Sequence, residues 1–163
     1  MIAVIDYGAG NLGSVVNALR HLGVEHVVSD DPARILAADG VIFPGVGATA
    51  DTMANLQARG LVPVIAAAVE QERPFLGICV GQQVLFSASH EGPRHDCLDI
   101  LRGEVRRFPD DLIVPHMGWN GVAAATRTPS SPASRTAPSS TSSTPTTSSR
   151  STTSWCWARR STG

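Results

Sequence analysis

The chain has 163 residues, enough for one domain with a hydrophobic core, and a net charge of −1, which offers no electrostatic footprint for nucleic acid or an anionic membrane surface. No apolar stretch reaches the roughly 18 residues of a spanning helix, and the first residues read as a strand with no basic leader, so no signal peptide is expected. Three cysteines, Cys79, Cys97 and Cys156, make no even-numbered framework and fit a reducing, cytoplasmic setting.

Ile2-Ala3-Val4-Ile5-Asp6 is a short apolar run ending in a carboxylate and reads as a buried parallel strand. Tyr7-Gly8-Ala9-Gly10-Asn11 is a turn. Helical spacing over 12–22 puts Leu12, Val15, Val16, Leu19 and Leu22 on one face, and Gly23 closes the helix as a C-cap. Residues 24–28 form a second strand, and Asp30-Asp31-Pro32 opens a short helix with Pro in its first turn. Gly40-Val41-Ile42-Phe43 is a third strand, followed by Pro44-Gly45-Val46-Gly47 and helices over 49–59 and 62–71. A fourth strand spans 74–78, and a helix is expected from Cys79 through about Ala88. Residues 104–108 and 112–115 look like later strands. Strands alternating with helices make a parallel sheet covered on both faces, and there is no internal repeat.

The charge is unevenly spread. Residues 1–120 hold 8 Arg and 14 carboxylates, whereas 121–163 hold 5 Arg, no carboxylate and 22 Ser or Thr. Neither part contains Lys. Two kinds of sequence are joined near Asn120, and the second is too poor in apolar residues to bury a core.

The most informative stretch is Phe75-Leu76-Gly77-Ile78-Cys79-Val80-Gly81-Gln82-Gln83. An apolar strand runs into a Cys with glycines two residues before and two after. This is the pattern of a sharp strand-to-helix turn that lifts a nucleophile off the sheet. A following helix would favour the thiolate, and its first N–H groups can face a developing oxyanion. The competing reading is a buried Cys ending a core strand. Pro44-Gly45-Val46-Gly47 also follows a strand, where open α/β sheets place their sites. It is either one wall of the Cys79 pocket or a tight turn. The Asp6–Asn11 loop lacks the third Gly of a dinucleotide fingerprint and the Lys of a P-loop, so a surface loop or partner contact is favoured over phosphate binding.

A thiol nucleophile wants a His base held by a carboxylate or amide. Of His21, His26, His90, His95 and His116, none sits in an obvious catalytic setting; His116, in Pro115-His116-Met117-Gly118-Trp119-Asn120, is the most distinctive. His95, Asp96 and Cys97 are too bunched for a tetrahedral metal site, and no metal or cofactor is expected.

These pieces together resemble the class I glutamine amidotransferases, and within them the glutaminase subunits of imidazole glycerol phosphate synthases of histidine biosynthesis. The resemblance covers residues 1 to about 120. It rests on Asp6-Tyr7-Gly8-Ala9-Gly10-Asn11, Pro44-Gly45-Val46-Gly47, Gly77-Ile78-Cys79-Val80-Gly81 with Gln83, and Pro115-His116-Met117-Gly118-Trp119-Asn120. It implies a flavodoxin-like three-layer α/β domain with a mainly parallel sheet, incomplete at its C-terminus. It implies that Cys79 attacks the glutamine side-chain amide to give a glutamyl thioester and ammonia. Val80 N–H and, after a peptide rearrangement, Val46 N–H would form the oxyanion hole, and Gly45, Gly47 and Gln83 would help hold glutamine. Ammonia would pass to a cyclase subunit with a (βα)8 barrel, in a heterodimer whose contacts include Tyr7, Asn11, Met117, Trp119 and Asn120. Trp119 reads equally well as a core residue.

The family carries its catalytic His and Glu in a later His-Pro-Glu segment that these 163 residues do not contain. Synonymous codons for 133–147, read in a shifted frame, yield an apolar, aromatic-rich stretch like the one that follows the Trp119 segment in the family. The expectation is therefore an amidotransferase domain over 1–125 and a disordered, low-complexity tail over 126–163 derived from a frameshift. Such a chain either hydrolyses glutamine very slowly or is an inactive remnant that only binds the cyclase.

Overall fold

The computed structural model describes residues 1–108 and four later strand segments, 118–121, 139–142, 146–148 and 155–157. The N-terminal part alternates strands and helices: β1 (Ile2–Ile5), α1 (Leu12–His21), β2 (His26–Ser29), α2 (Pro32–Ala37), β3 (Gly40–Phe43), α3 (Thr49–Ala58), α4 (Val62–Glu70) and β4 (Phe75–Ile78). Local chemistry sets these boundaries. The Asn11 side chain caps α1 by accepting from Ser14 N–H at 3.2 Å. Gly23, at φ +66°, ends the helix: its N–H donates to Arg20 O while Val24 N–H reaches back to Leu19 O. Asp31 caps α2 through Ala33 N–H at 2.9 Å, with Pro32 in the first turn.

β2, β1, β3 and β4 pair in that order as a parallel sheet, with Ala3 level with Val27 and Val41, and Val41 level with Phe75. Right-handed crossovers put α1 on one face and α2, α3 and α4 on the other. On the second face Ile5, Val41, Phe43 and Phe75 pack with Ile35, Leu56, Leu61 and Ile65 into the main core, every one of them at most 1% exposed. The α1 face is more open. Val4 is fully buried there, but Ile42 and Leu76 are half-buried and Val28 is 38% exposed. Leu19 is the one apolar residue of α1 that is buried, and Leu22, expected on the inward face, lies beyond the last turn at 70% exposure.

After β4 the chain departs from expectation. The helix expected through Ala88 is a single turn, α5 (Val80–Gln83), and the chain then enters β5 (Phe86–Ser89), β6 (His95–Asp96) and β7 (Leu101–Arg107). Tertiary contacts override helical spacing here. Val84 and Leu85 are 0% exposed in the core, and the Leu85 carbonyl is taken by the N–H groups of Ile100 and Leu101. β5 pairs antiparallel with β6 and parallel with β7 in a second sheet completed by β10 (Thr146–Ser148). β8 (Gly118–Gly121) pairs with β9 (Ser139–Ser142), and β11 (Trp155–Trp157) lies antiparallel on the outer edge of β4. Three segments of the tail expected to be disordered are thus strands. The rest of 126–163, and the strand expected at 112–115, lie outside the described residues.

Phe75 carries the strand that leads to Cys79. It is 1% exposed, with its ring edge-on to Phe43 at 6.4 Å. Phe75→Ala should lower the unfolding free energy by about 3–5 kcal/mol, read as a shifted midpoint in urea at unchanged slope.

Candidate active site

Cys79 caps the N-terminus of α5 with φ 55° and ψ −121°. A positive φ is strained for any residue with a Cβ. The Cys79 side chain is half-buried, packed against the edge of the main core. The turn closes on itself: Gln82 and Gln83 N–H groups donate to the Cys79 carbonyl at 2.9 and 3.1 Å. A one-turn helix sums little dipole, so the polar assistance available to the sulfur is that of individual N–H groups. Val80, Gln82 and Gln83 are buried behind the thiol.

The 44–47 loop lies directly against this turn. A Cβ on Gly45 would collide with Gly81 N and come within 2.8 Å of the Val80 carbonyl carbon. A Cβ on Gly81 would collide with the Phe43 carbonyl oxygen. At Gly77 a Cβ would meet Gln82 Cα at 2.8 Å. The glycines flanking Cys79 are therefore required by backbone-to-backbone contact. Beyond Gly45 the loop opens out: Val46 is 45% exposed, and Gly47 has φ +84° with open space around it.

Tyr7 corrects an expectation. Placed at a partner surface by the sequence, its side chain is 0% exposed, edge-on to Phe43 at 5.5 Å and part of the main core. It cannot offer its ring to a partner. Its hydroxyl is buried with no hydrogen-bond partner among the described residues. Burial raises its pKa above 10.0, while the Val46 backbone and the Thr52 side chain act in the opposite sense and Cys79 adds to the rise. Asn11 is exposed and occupied as the α1 cap. Trp119 and Asn120 fall on β8, and Met117 and His116 lie outside the described residues.

None of the four described histidines pairs with the Cys79 thiol. His26 contacts the Val24 carbonyl at 2.9 Å, His90 contacts Glu104 at 3.1 Å, His95 contacts Thr49 at 3.0 Å, and His21 is an exposed residue on the last turn of α1. No group of three or more metal-ligating side chains is assembled among the described residues. No helix among them is long and apolar enough to cross a membrane.

One feature near the pocket escaped the sequence reading. Ala48, which precedes α3, supplies no side-chain cap. Glu91, from the turn between β5 and β6, does so instead: Thr49 N–H donates to its Oε2 at 2.8 Å. A cap supplied from 42 positions away leaves no local signature.

The class-I glutamine amidotransferase family profile matches residues 3–142, and the chain belongs to that family. The match runs past residue 125, the expected end of the domain. Over 120 residues the chain is 54% identical to a protein of Dehalococcoides mccartyi strain CBDB1 described as imidazole glycerol phosphate synthase subunit HisH, covering 74% of this chain and 58% of that one. A protein of the same description from Moorella thermoacetica is 59% identical over 121 residues, with the same coverage. One from Chloroflexus aurantiacus is 54% identical over 121 residues, 74% of this chain and 57% of its own. The chain thus spans under two thirds of the length of these relatives. A solved structure described as a glutamine amidotransferase superposes with a TM-score of 0.61 at 19% identity, over 74% of this chain and 64% of that one, and establishes the shared fold.

Two outcomes follow from the chemistry around the site. Burial, with Asp96 beside it, pushes the Cys97 thiol up to about 11. At pH 8 about one Cys97 in a thousand is ionised. Iodoacetamide should therefore label Cys79 well before Cys97, as peptide mapping would show. Tyr7 is the sole tyrosine, so absorbance at 295 nm titrates it alone. Its ionisation should lie above pH 10 in the fold and return to the ordinary value in urea. Because the fold resists that ionisation, stability is intact below pH 10 and is lost as pH rises beyond it. Tyr7→Phe should abolish that alkaline loss without lowering the melting temperature at pH 7, since it deletes a buried unpaired hydroxyl.

Proposed function

We propose that this chain is the glutaminase part of an imidazole glycerol phosphate synthase in the cytoplasm. The observation that carries the reading is the Cys79 turn, strained to φ 55° and locked against the Gly45 backbone. Relatives at 54–59% identity bear that name. Sγ of Cys79 attacks the side-chain carbonyl carbon of glutamine. The C–N bond breaks, ammonia leaves, and water hydrolyses the glutamyl thioester to glutamate. Val80 N–H and a re-aimed Val46 N–H receive the oxyanion, and Gly45, Gly47 and Gln83 hold the substrate. Ammonia is used by a (βα)8-barrel cyclase in a heterodimer, docked near Asn11, Met117, Trp119 and Asn120.

A second reading is favoured by one specific observation: no described histidine pairs with Cys79. On that reading departing ammonia lacks a proton donor, and the chain is an inactive remnant that binds the cyclase without turning over.

Co-expression with the cyclase, followed by glutamate release and gel filtration, separates the two. Glutamate release above background that is lost in Cys79→Ala supports the enzyme. Co-elution with glutamate at background in both proteins supports the remnant, and neither co-elution nor glutamate release sinks both.

A further inference from the structure

Thr49 is the hub of a polar cluster that the proposed chemistry does not use. Its side chain is 0% exposed, and its hydroxyl lies 2.9 Å from Ser89 Oγ, 3.1 Å from Glu91 Oε2 and 3.0 Å from His95 Nε2. Ser89 is also fully buried, and its Oγ accepts from Glu91 N–H at 3.1 Å. A threonine hydroxyl has one hydrogen, so these three neighbours compete for it.

His95 decides the competition. Its Nδ1 lies 3.0 Å from the Pro93 carbonyl, which can only accept, so Nδ1 carries a hydrogen. In the neutral ring Nε2 is then bare and takes the Thr49 hydrogen. Thr49 Oγ1 and the Glu91 carboxylate are left facing each other as two acceptors. In the protonated ring Nε2–H donates to Thr49, whose hydrogen is freed for Glu91. The other charged groups of this hairpin are engaged elsewhere: Arg94 with Asp96 at 3.1 Å, and His90 and Arg106 with Glu104 at 3.1 and 2.8 Å. Glu91 is the carboxylate with which His95 shares a partner.

Position gives the cluster its reach. Thr49 begins α3 two residues after Gly47, so it fixes the far end of the loop that faces Cys79. The near end is fixed by the contact of Gly45 with Gly81. Only Val46, Gly47 and Ala48 lie between the two anchors.

We propose that His95, acting through Thr49 and Glu91, is a positioning residue for the Val46–Gly47 wall of the Cys79 pocket, and that protonation of His95 tightens that wall. The role assigned to the wall rests on the glutaminase reading; the latch itself does not.

The test is hydrogen exchange by mass spectrometry on the full chain between pH 5.5 and 8, with rates over 46–50 divided by intrinsic rates. Wild type should show these amides protected about tenfold more at the acid end, the equivalent of one charge-assisted hydrogen bond. His95→Gln, which donates but does not titrate, should flatten the profile. Thr49→Val should flatten it too, and Thr49→Ser should restore it. A flat wild-type profile, a pH response that survives in His95→Gln, or identical behaviour of the Val and Ser variants would overturn the proposal. Protection of Cys79 from iodoacetamide by glutamine is measured in parallel. It should need about tenfold more glutamine in Thr49→Val than in Thr49→Ser. Absence of protection in wild type, with the exchange response intact, counts against glutamine binding and leaves the latch standing.

Discussion

Two backbone segments lie in this molecule at a separation that no Cβ permits. Phe43 to Gly45 and Val80 to Gly81 touch main chain to main chain, and the rest of the site follows from that contact. It seats the turn after β3 against the turn after β4, two neighbouring parallel strands. It forces Cys79 to project from between two crowded glycines with a left-handed φ. It also leaves Val46, one residue on, as the first free position of the loop. A larger residue at Gly45 or Gly81 would push the two turns apart.

Strain at Cys79 is sustained because its surroundings over-determine it. Phe75 and Phe43 anchor the two strands in the core, Val80 and Leu85 bury the far side of the turn, and Gln82 and Gln83 N–H groups hold the Cys79 carbonyl. Tyr7 belongs to the same support. Its ring fills the space under Phe43, and its oxygen is left in an apolar setting close to Val46 and Thr52. A residue that looked like a surface contact because it sits in a glycine-rich turn is a core pillar: Gly8 and Gly10, both at positive φ, turn the chain just after it while its ring packs inward on Phe43.

The sequence carried a large part of this. The first four strands and the helices between them were legible because each is specified locally: Gly23 closes α1, Asp31 and Pro32 open α2, and the apolar strands read as buried on their own. The glycine spacing around Cys79 was legible for the same reason. What lay beyond local reading were features set by distant partners. Residues 80–88 have helical spacing, yet the Leu85 carbonyl is claimed by Ile100 and Leu101 and the chain turns into a second sheet. The Glu91 cap on α3 and the His95 contact with Thr49 join positions more than forty residues apart, and no periodicity encodes them.

The pairing of β11 with β4 has a consequence for the order in which the molecule assembles. β1 to β4 are joined by short crossovers, so their contacts close over modest loops. The outer edge of β4, the strand that delivers Cys79, is instead completed by residues 155–157, with Trp155 level with Ile78. Such a long closure is slow relative to the local units. On a ribosome, Cys79 would emerge and reach its strained turn while the edge beside it is still open to other chains. The interval between those two events is the time in which this protein is most exposed to misassembly.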